Sequence, residues 1–393
     1  MSTLTHAVST QDRNSSSRDE STNPTISIRG SLAANQRRGV MAFKLPSTNT
    51  PQHLIYWHRI LAVRPKLPVT LSADRKWLEL THGKDLPKVV EIDIASQLVP
   101  KSDASIRMNQ IQLIGTHNSY HIAPDPSVMK LIKTFVPEQG ANIEYTHRPL
   151  SDQLDTLGMR KFEIDIYHDT KGGSFARPLG ALMSSPLRWR SIHPEFDPEA
   201  MKSPGMKVIH FPNFDFRSTT PTLSRALAEL SQWSRTHNLH LPIMVLIETK
   251  NSIGKKGDRT DSRFSTSDFQ QLDKEITAAL KPEQLITPDQ VRGRYATLNQ
   301  AIRTGGWPLL GDCRGKFLIA LDNPGRERAH YLKIHPGLRG APMFVSSPPG
   351  RPESAFLKRN NPTSGHSEIQ KRVRQGYIIR TRADADLTSG RTN

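Results

Sequence analysis

The segment IQLIGTHNSYH, residues 111–121, places polar side chains where an apolar run ends. Residues 111–114 are typical of a buried β-strand, whereas His117 and Asn118 follow directly after it. Polar groups at such a position are costly to bury without partners. A histidine titrates near neutral pH and can transfer protons, and an amide oxygen can bind a hard cation. The segment therefore predicts a functional site at a strand end.

Three further apolar runs also end in polar side chains. In KFEIDIYHD, Glu163 and Asp165 are two residues apart and therefore share one face of a strand. The run KVIH ends at His210, and PIMVLIETK places Glu248 and Lys250 on one face. If these strands are parallel, their C-terminal ends meet at one mouth, where active sites of parallel barrels lie. The histidines, the amide, the carboxylates and the lysine are therefore expected to converge.

The convergence of carboxylates predicts a bound metal ion. Carboxylates brought together repel one another and raise one another's pKa, so they need a cation. Oxygen donors suit a hard ion, Ca²⁺ or Mg²⁺. The candidate donors are Asn118, Glu163, Asp165 and Glu248. Zinc held by His117 and His121 would need the spacing of a helix, whereas these histidines follow a strand, so zinc is disfavoured.

Short apolar runs alternate with helical stretches from about residue 106 onward. Seven strands are predicted: IQLIGTHNS, RKFEIDIYHD, KVIHFP, PIMVLIETK, GKFLIALDN, MFVSSP and GYIIRTRAD. One intervening helix runs up to Gly158, and another begins after an N-cap at Thr220 with Pro221 in its first position. Such alternation predicts an α/β fold with a parallel sheet. A TIM-type (β/α) barrel fits better than an open doubly wound sheet, whose glycine-rich phosphate-binding motif is absent.

Composition divides the chain around this barrel. Residues 1–49 are polar, with few large apolar side chains, and are predicted to be a disordered tail. Residues 50–105 form an N-terminal extension of unknown role, in which HLIYWHRILAV is predicted to be a helix and KVVEIDIASQLV a strand. The barrel is predicted over residues 106–386, and residues 387–393 are a C-terminal tail.

The net charge of +17 predicts an acidic partner: nucleic acid, an anionic membrane or a phosphate-bearing substrate. Nucleic acid is disfavoured, because the basic stretches KKGDR, LKRNN and QKRVRQ lack aromatic residues on which bases stack. The single cysteine, Cys313, excludes an intrachain disulfide framework and a cysteine-based zinc site. No apolar run is long enough for a transmembrane helix. The N-terminal residues also lack the apolar core of a signal peptide.

The segments LIGTHNSYH, KFEIDIYHD, VIHFPNFDFRST and VLIETK, in this order, resemble the catalytic barrel of the calcium-dependent, phosphatidylinositol-specific phospholipase C family, in its bacterial branch. The resemblance spans residues 106–386. Glycerophosphodiester phosphodiesterases share the barrel and the Glu-x-Asp strand, but they carry His-Arg where this chain has His117-Asn118. That difference favours the phospholipase.

The resemblance implies a phosphoric diester hydrolase that uses calcium, in preference to magnesium, to cleave phosphatidylinositol-type lipids through a cyclic inositol phosphate. The implied calcium ligands are Asn118, Glu163, Asp165 and Glu248. A phosphoinositide is the implied partner. The positive net charge also predicts peripheral contact with an anionic membrane surface. The protein is expected to be a monomer. Members of this branch are commonly exported, although this chain shows no signal peptide.

The histidines take distinct roles in the implied reaction. His117 and His210 would flank the phosphodiester, with His210 as general acid to the glycerol oxygen and His117 as a hydrogen-bond donor to the transition state. The general base stays open between His117 and a metal-bound carboxylate such as Glu248. Lys250 and Arg382, near strand ends, are expected to contact the phosphate.

Two other functions stay open. The same barrel could act on a glycerophosphodiester or a sphingolipid, and only a head group with a neighbouring hydroxyl gives a cyclic product. A non-catalytic, truncated barrel could instead bind anionic surfaces through its basic residues.

An eighth barrel strand is missing from the prediction. Relatives continue past the last predicted strand through a helix into a final strand, whereas here the sequence ends in LTSGRTN. An incomplete barrel is therefore expected, either with impaired stability or with the gap filled by KVVEIDIASQLV.

Overall fold

The computed structural model describes residues 25–31, 39–44, 54–64, 69–71, 77–82, 89–184, 196–251 and 263–383. The chain divides into two compact units. The first comprises Met1–Ile106 with Leu309–Asp312, and the second comprises Arg107–Pro308 with Cys313–Asn393.

The first unit contains two small antiparallel sheets. Its strands are β1 (Thr25–Ser31), β2 (Gly39–Lys44), β3 (Leu54–Arg64), β4 (Val69–Leu71), β5 (Trp77–His82) and β6 (Val89–Pro100). One sheet has the order β1-β6-β3 and the other the order β2-β5-β4. An apolar cluster that includes the buried side chains of Leu78, Ile92 and Ile94 draws on strands of both sheets.

Three N-terminal predictions are resolved by these strands. Residues 89–99 of KVVEIDIASQLV lie in β6 as predicted, but β1 and β3 occupy both edges of that strand, so it is not available to fill a gap in a barrel. The helix predicted for HLIYWHRILAV is wrong: residues 54–63 lie in β3, because their β-branched and aromatic side chains suit a strand with a long antiparallel partner.

Within the span predicted to be a disordered tail, residues 25–31 and 39–44 form strands. Each pairs with a strand distant in sequence, which composition alone does not reveal. The other residues of that span, and the C-terminal tail 387–393, lie outside the described residues.

The second unit is built on a five-stranded sheet. Its strands are β7 (Lys161–Asp169), β8 (Gly205–Val208), β9 (Ile243–Thr249), β10 (Phe317–Leu321) and β11 (Met343–Val345), in the order β11-β10-β9-β7-β8. All neighbours are parallel except β7 and β8, which are antiparallel. A parallel pair, β12 (Phe356–Lys358) and β13 (Ile378–Arg380), connects to this sheet through a bridge between Ser346 and Phe356.

The described helices are α1 (Pro126–Phe135), α2 (Pro137–Asn142), α3 (Leu150–Thr156), α4 (Leu179–Ser184), α5 (Pro198–Lys202), α6 (Leu223–Thr236), α7 (Thr266–Ala279), α8 (Pro288–Arg292), α9 (Leu298–Arg303), α10 (Leu310–Cys313), α11 (Gly325–Ile334) and α12 (His366–Arg374). Short 3₁₀ turns span Lys101–Ala104, Met108–Gln110, Pro282–Gln284 and Pro336–Leu338. None of the described helices combines the length and apolar composition that a membrane crossing needs.

The predicted mixed α/β fold with parallel strands is confirmed, although individual strands differ. IQLIGTHNS is not a strand: only Gly115 pairs with β7, through a bridge to Lys161. Only Lys207 and Val208 of KVIHFP lie in a strand, β8, which runs antiparallel to β7. The strand β12 was not among the predicted strands. The second unit thus has seven described strands, the same number as predicted from sequence. One predicted strand, IQLIGTHNS, is absent from them, and β12 takes its place in the count.

Helix boundaries follow the local hydrogen bonds. The predicted stop at Gly158 is confirmed: α3 ends at Thr156, and Gly158 has a φ of +63°, which favours glycine. The predicted N-cap at Thr220 is wrong. The Pro221 carbonyl accepts a hydrogen bond from the backbone of Val208, which holds the chain extended until the hydroxyl of Thr222 caps α6.

Candidate active site

The segment 115–121 lies along the start of β7 and brings its polar side chains to that strand. The backbone N–H of Ser119 donates to the Glu163 carbonyl at 2.9 Å, and the Ser119 hydroxyl accepts from the Glu163 N–H at 2.9 Å. Gly115 permits the approach, because a Cβ there would lie 2.1 Å from the Lys161 carbonyl oxygen. Only glycine fits at position 115, because any side chain there would overlap the Lys161 carbonyl oxygen.

Solvent exposure along this segment is the reverse of what the polarity of its residues predicts. Ile114 is 64% exposed, whereas Asn118 is 2% exposed and His121 is fully buried. Asn118 also has a φ of +46°, in the left-handed region that asparagine tolerates better than most residues. The polar half of the segment, and not its apolar half, therefore packs into the protein.

Carboxylates converge on one side of the sheet, as predicted. Glu163 and Asp165 alternate with buried apolar residues on β7. Asp165 is the register partner of Glu248 on the neighbouring parallel strand, so both side chains lie on the same face. Asp322 follows β10, and its backbone N–H donates to the Ile247 carbonyl at 2.9 Å. Carboxylate oxygens of Glu163, Glu248 and Asp322 lie within 4.8 Å of one another.

Glu163 is the most heavily paired of these carboxylates. Lys161 donates to its Oε2 at 2.9 Å, and the Arg380 guanidinium donates to the same oxygen. Nε2 of His117 lies 3.2 Å from its Oε1. Burial on its own would raise the pKa of Glu163, but His117, Lys161 and Arg380 outweigh it and hold that pKa well below its usual range. Glu163 is therefore held as a carboxylate.

The other carboxylates share two lysines. Nζ of Lys250 lies 3.0 Å from Asp165 and 3.1 Å from Glu248, and Lys358 donates to Oδ2 of Asp322. Burial raises the pKa of Asp165 to about 8, although Lys250 opposes the rise. Burial would lower the pKa of Lys250, but Asp165 and Glu248 outweigh it and raise that pKa. The face thus places acidic side chains, some buried and some half-buried, in direct contact with lysines.

Asp215 lies between two histidines beside this array. Its Oδ2 is 2.6 Å from Nδ1 of His210, and its Oδ1 is 2.7 Å from Nε2 of His121. Because a carboxylate only accepts hydrogen bonds, Nδ1 of His210 carries hydrogen and its Nε2 is left for proton exchange. Burial lowers the pKa of His210, and Asp215 limits the fall. The two histidines in turn overcome the effect of burial and lower the pKa of Asp215.

His121 fixes Asp215 and links it to the carboxylates. Its Nδ1 lies 3.0 Å from the Tyr145 carbonyl, so both ring nitrogens of His121 are engaged. The Tyr145 hydroxyl accepts from Nδ2 of Asn118 at 3.0 Å. Tyr145 therefore connects the two parts of the site, because its backbone carbonyl contacts His121 and its hydroxyl contacts Asn118.

His117 occupies the open side of the site. Its side chain is 41% exposed, and its Nε2 lies 2.9 Å from Nη2 of Arg382. Nε2 of His147 lies 2.9 Å from the backbone carbonyl oxygen of His117, and this contact holds the main chain in place. The imidazole is thus reachable from solvent and adjacent to a cation.

The structure places most of the predicted site residues in one carboxylate-lined group. This group contains His117, Glu163, Asp165, Glu248, Lys250 and Arg382. Asn118 precedes Ser119, whose backbone bonds to Glu163, and its amide contacts the Tyr145 hydroxyl. His210 belongs instead to the pair with Asp215, connected to the group through His121 and Tyr145. His117 and His121 therefore have different partners: His117 contacts Glu163 and Arg382, whereas His121 contacts Asp215 and Tyr145.

Sequence analysis missed several residues of the site. Asp322 directly follows the apolar run FLIAL, the same signal that marks the other strand ends, and could have been found. Arg380 likewise follows the apolar run YII of a predicted strand. Asp215 and Tyr145 carry no such signal, because both lie in loops, and Lys358 lies in β12, which was not predicted.

A family of known phospholipases matches this part of the chain. The matching family is described as phosphoinositide phospholipase C, Ca²⁺-dependent, and the match covers residues 106–393. The chain belongs to the calcium-dependent phosphoinositide phospholipase C family. It is thus a member of a family of phosphoric diester hydrolases, and the carboxylate-lined group lies within the matched residues.

Solved structures of bacterial phospholipases C are also similar to this chain, at low sequence identity. A calcium-dependent phosphoinositol-specific phospholipase C from the Gram-negative bacterium Pseudomonas sp. is 17% identical, with a TM-score of 0.46 over 72% of this chain and 85% of that chain. A Ca²⁺-dependent phosphatidylinositol-specific phospholipase C from Streptomyces antibioticus is 19% identical, with a TM-score of 0.42 over 68% and 80%. No curated protein matches the chain.

Proposed function

We propose that this chain is a calcium-dependent phosphodiesterase that cleaves phosphatidylinositol-type lipids. The catalytic domain would span residues 106–386 and form a (β/α) barrel. The observation that carries the proposal is the convergence of the Glu163, Glu248 and Asp322 carboxylates, in a member of this family that also carries the His210–Asp215 pair. Oxygen ligands and a proton donor are the groups that this chemistry requires.

The donor set fits calcium. Oδ1 of Asn118 and Oδ1 of Asp322 are buried and have no hydrogen-bond partner among the described residues. Buried polar atoms without partners are rare, and a hard cation would satisfy both. The proposed ligands are Asn118, Glu163, Asp165 and Glu248, with Asp322 added to the predicted set. When bound, calcium would lower the pKa of the inositol 2-hydroxyl and offset negative charge on the phosphate.

His210 is the proposed general acid. Asp215 fixes its Nδ1, so Nε2 can give a proton to the glycerol oxygen as the bond to phosphorus breaks. In the second step the same nitrogen accepts a proton from the water that opens the cyclic phosphate. Its pKa, lowered by burial and partly restored by Asp215, suits both directions of transfer.

His117 is the proposed general base for the 2-hydroxyl. Nε2 of His117 contacts both Arg382, which only donates hydrogen bonds, and the Glu163 carboxylate, which only accepts them. Glu248 is paired with Lys250 and is a proposed calcium ligand, which favours His117 as the base, and the protonated ring can then donate to the transition state. Arg382 and Lys250 are the proposed contacts to the phosphate oxygens.

Product identity tests this function. We expect ³¹P NMR of phosphatidylinositol micelles with the protein and calcium to show a cyclic inositol phosphate before the acyclic phosphate appears. A neighbouring hydroxyl is needed for that product, so phosphatidylcholine should not react. An acyclic product from the first turnover would contradict attack by the 2-hydroxyl and favour direct attack by water on a glycerophosphodiester or sphingolipid.

The variant Asp215→Asn tests the role of the His210–Asp215 pair. We expect turnover to fall on the order of 10²-fold, the lower end of what a general acid contributes. Because Asp215 raises the pKa of His210, its removal should lower that pKa further, and the alkaline limb of the kcat/KM profile should move to lower pH. The exposed Asp152→Asn is the matched control. An unmoved alkaline limb would contradict this role.

A further inference from the structure

Basic side chains stand at the ends of β12 and β13. β12 ends at Lys358 and β13 ends at Arg380, and these two residues are register partners in the parallel pair. Residues in register on neighbouring strands direct their side chains to the same face. Like charges placed side by side in this way are destabilising unless each has a partner of opposite charge. The groups that these cations contact therefore explain their position.

Each of the two cations contacts one carboxylate. The Lys358 ammonium donates to Oδ2 of Asp322, and the Arg380 guanidinium donates to Oε2 of Glu163. The backbone N–H of Lys358 donates to the Ser346 hydroxyl at 3.1 Å, which fixes the point from which the lysine side chain extends. The Lys358 side chain is 24% exposed, and that of Asp322 is 2% exposed. The charges of this pair therefore interact more strongly than those of a pair in open solvent.

Cations of the chain itself match the carboxylates of the proposed calcium site in number. Four carboxylates are in direct contact with four cationic side chains: Glu163 with Lys161 and Arg380, Asp165 and Glu248 with Lys250, and Asp322 with Lys358. The charge of the ligands is one of the factors that set the calcium affinity of a protein site. A calcium ion would therefore enter a set of ligands whose negative charge is already offset.

Lys358 is the cation of this set that has no part in the proposed reaction. Two of the others hold the buried Glu163 in place, and Lys250 is a proposed contact to the phosphate. Lys358 contacts Oδ2 of Asp322, and Oδ1 stays buried without a hydrogen-bond partner among the described residues. The lysine therefore leaves one carboxylate oxygen available to a cation while it offsets the charge of that carboxylate.

We propose that Lys358 is an internal counter-ion that opposes calcium binding at Asp322. Its positive charge repels an incoming divalent cation and offsets the charge of Asp322, so the site binds calcium more weakly than its carboxylates alone would. Hydrolysis then begins only where calcium is abundant, because a site of lower affinity fills at a higher calcium concentration. The inference rests on the proposed function for the calcium site, and its test measures calcium binding instead of turnover.

Calorimetric titration of the full chain with calcium chloride tests this role. Lys358→Met keeps the aliphatic part of the side chain and removes its charge, and we expect the calcium Kd to fall on the order of 10-fold. Lys358→Arg keeps the charge and should bind calcium like the wild type. The matched control is Lys133→Met, which removes one positive charge from an exposed pair with Glu144 and should change the Kd by less than about twofold.

Variants at Asp322 show whether Lys358 acts through this carboxylate. If it does, Lys358→Met should have little effect on the calcium Kd when Asp322→Asn is also present, and the double-mutant cycle should show coupling. Lys358→Met also leaves a buried carboxylate unpaired, so its Tm in chelator should fall, and calcium should raise that Tm more than it raises the Tm of the wild type. Should Lys358→Met fail to fold, the uncharged Lys358→Gln, which can still donate a hydrogen bond to Asp322, takes its place in the titration.

Four results would overturn the proposal. These are an unchanged Kd in Lys358→Met, an equal change in Lys133→Met, equal tightening in Lys358→Arg, and the same tightening with Asp322→Asn present. If neither the wild type nor the uncharged Lys358 variants bind calcium, this inference and the calcium site of the proposed function both fail. A wild type that binds calcium but releases no inositol phosphate would contradict the proposed function alone, and the ratio of Kd values would still decide the role of Lys358.

Discussion

Replacing His210 with alanine is expected to lower turnover of phosphatidylinositol by on the order of 10²- to 10⁴-fold, the range for loss of a general acid. Asp215 engages Nδ1 of His210 and leaves Nε2 to protonate the leaving glycerol oxygen. Since no oxygen ligand is removed, calcium affinity should change little. Steady-state kinetics and calorimetric titration with calcium measure the two quantities.

A substrate with a better leaving group tests the role of His210 as the general acid more directly. An inositol phosphodiester of p-nitrophenol needs little protonation as it departs, so His210→Ala should lose far less activity on it than on phosphatidylinositol. The variant His240→Ala, a buried histidine outside the proposed site, controls for general destabilisation. Equal losses on both substrates would mean that His210 does not act as the acid. A collapse of calcium binding would mean that it is a metal ligand.

The variant Glu163→Gln should destabilise the protein strongly. Glu163 is fully buried and neutralises both Lys161 and Arg380, so the amide would leave buried positive charge without its partner. Breaking a buried ion pair in this way costs roughly 3–5 kcal/mol of unfolding free energy. Urea denaturation monitored by circular dichroism measures it. Turnover should also be lost, because Glu163 is a proposed calcium ligand.

Two further variants test whether the unpaired buried charge causes the loss of stability in Glu163→Gln. In Glu144→Gln, an exposed carboxylate loses its pairing with Lys133, and the unfolding free energy should change by less than about 1 kcal/mol. In Glu163→Gln/Arg380→Met, the charge on Arg380 is removed as well, so part of the lost stability should return. No recovery in the double variant would contradict a charge-balance role for Glu163.

The sequence was most informative where a side chain's direction follows from strand periodicity. Glu163 and Asp165 share a face because alternate residues of a strand do so, and the pairing of β7 with β9 then brings Asp165 level with Glu248. The same reasoning would have found Asp322 after β10. It could not find Asp215, which reaches His121 from 94 positions away through a loop with no regular pattern.

Strand direction and strand identity were harder to predict. Residues 111–114 have the composition of a buried strand, yet only Gly115 pairs with β7, and the neighbouring Ile114 is largely exposed. β8 runs antiparallel to β7, but His210 still reaches the site, because Asp215 lies five residues further along and folds back to bind it. Residues 54–63, predicted as a helix, belong to β3, because their β-branched and aromatic side chains suit a strand and β6 supplies a long partner that the local sequence does not reveal.

Hydrolysis of phosphatidylinositol in calcium and in excess chelator tests most directly whether the carboxylate-lined group is a calcium-dependent phosphodiesterase site. Oδ1 of Asn118 and Oδ1 of Asp322 are buried without hydrogen-bond partners among the described residues, and carboxylate oxygens of Glu163 and Glu248 lie close to Asp322. We expect release of inositol phosphate with calcium, its loss on chelation, and its recovery when calcium, but not magnesium, is added back. Equal turnover in excess chelator would contradict a metal-dependent site.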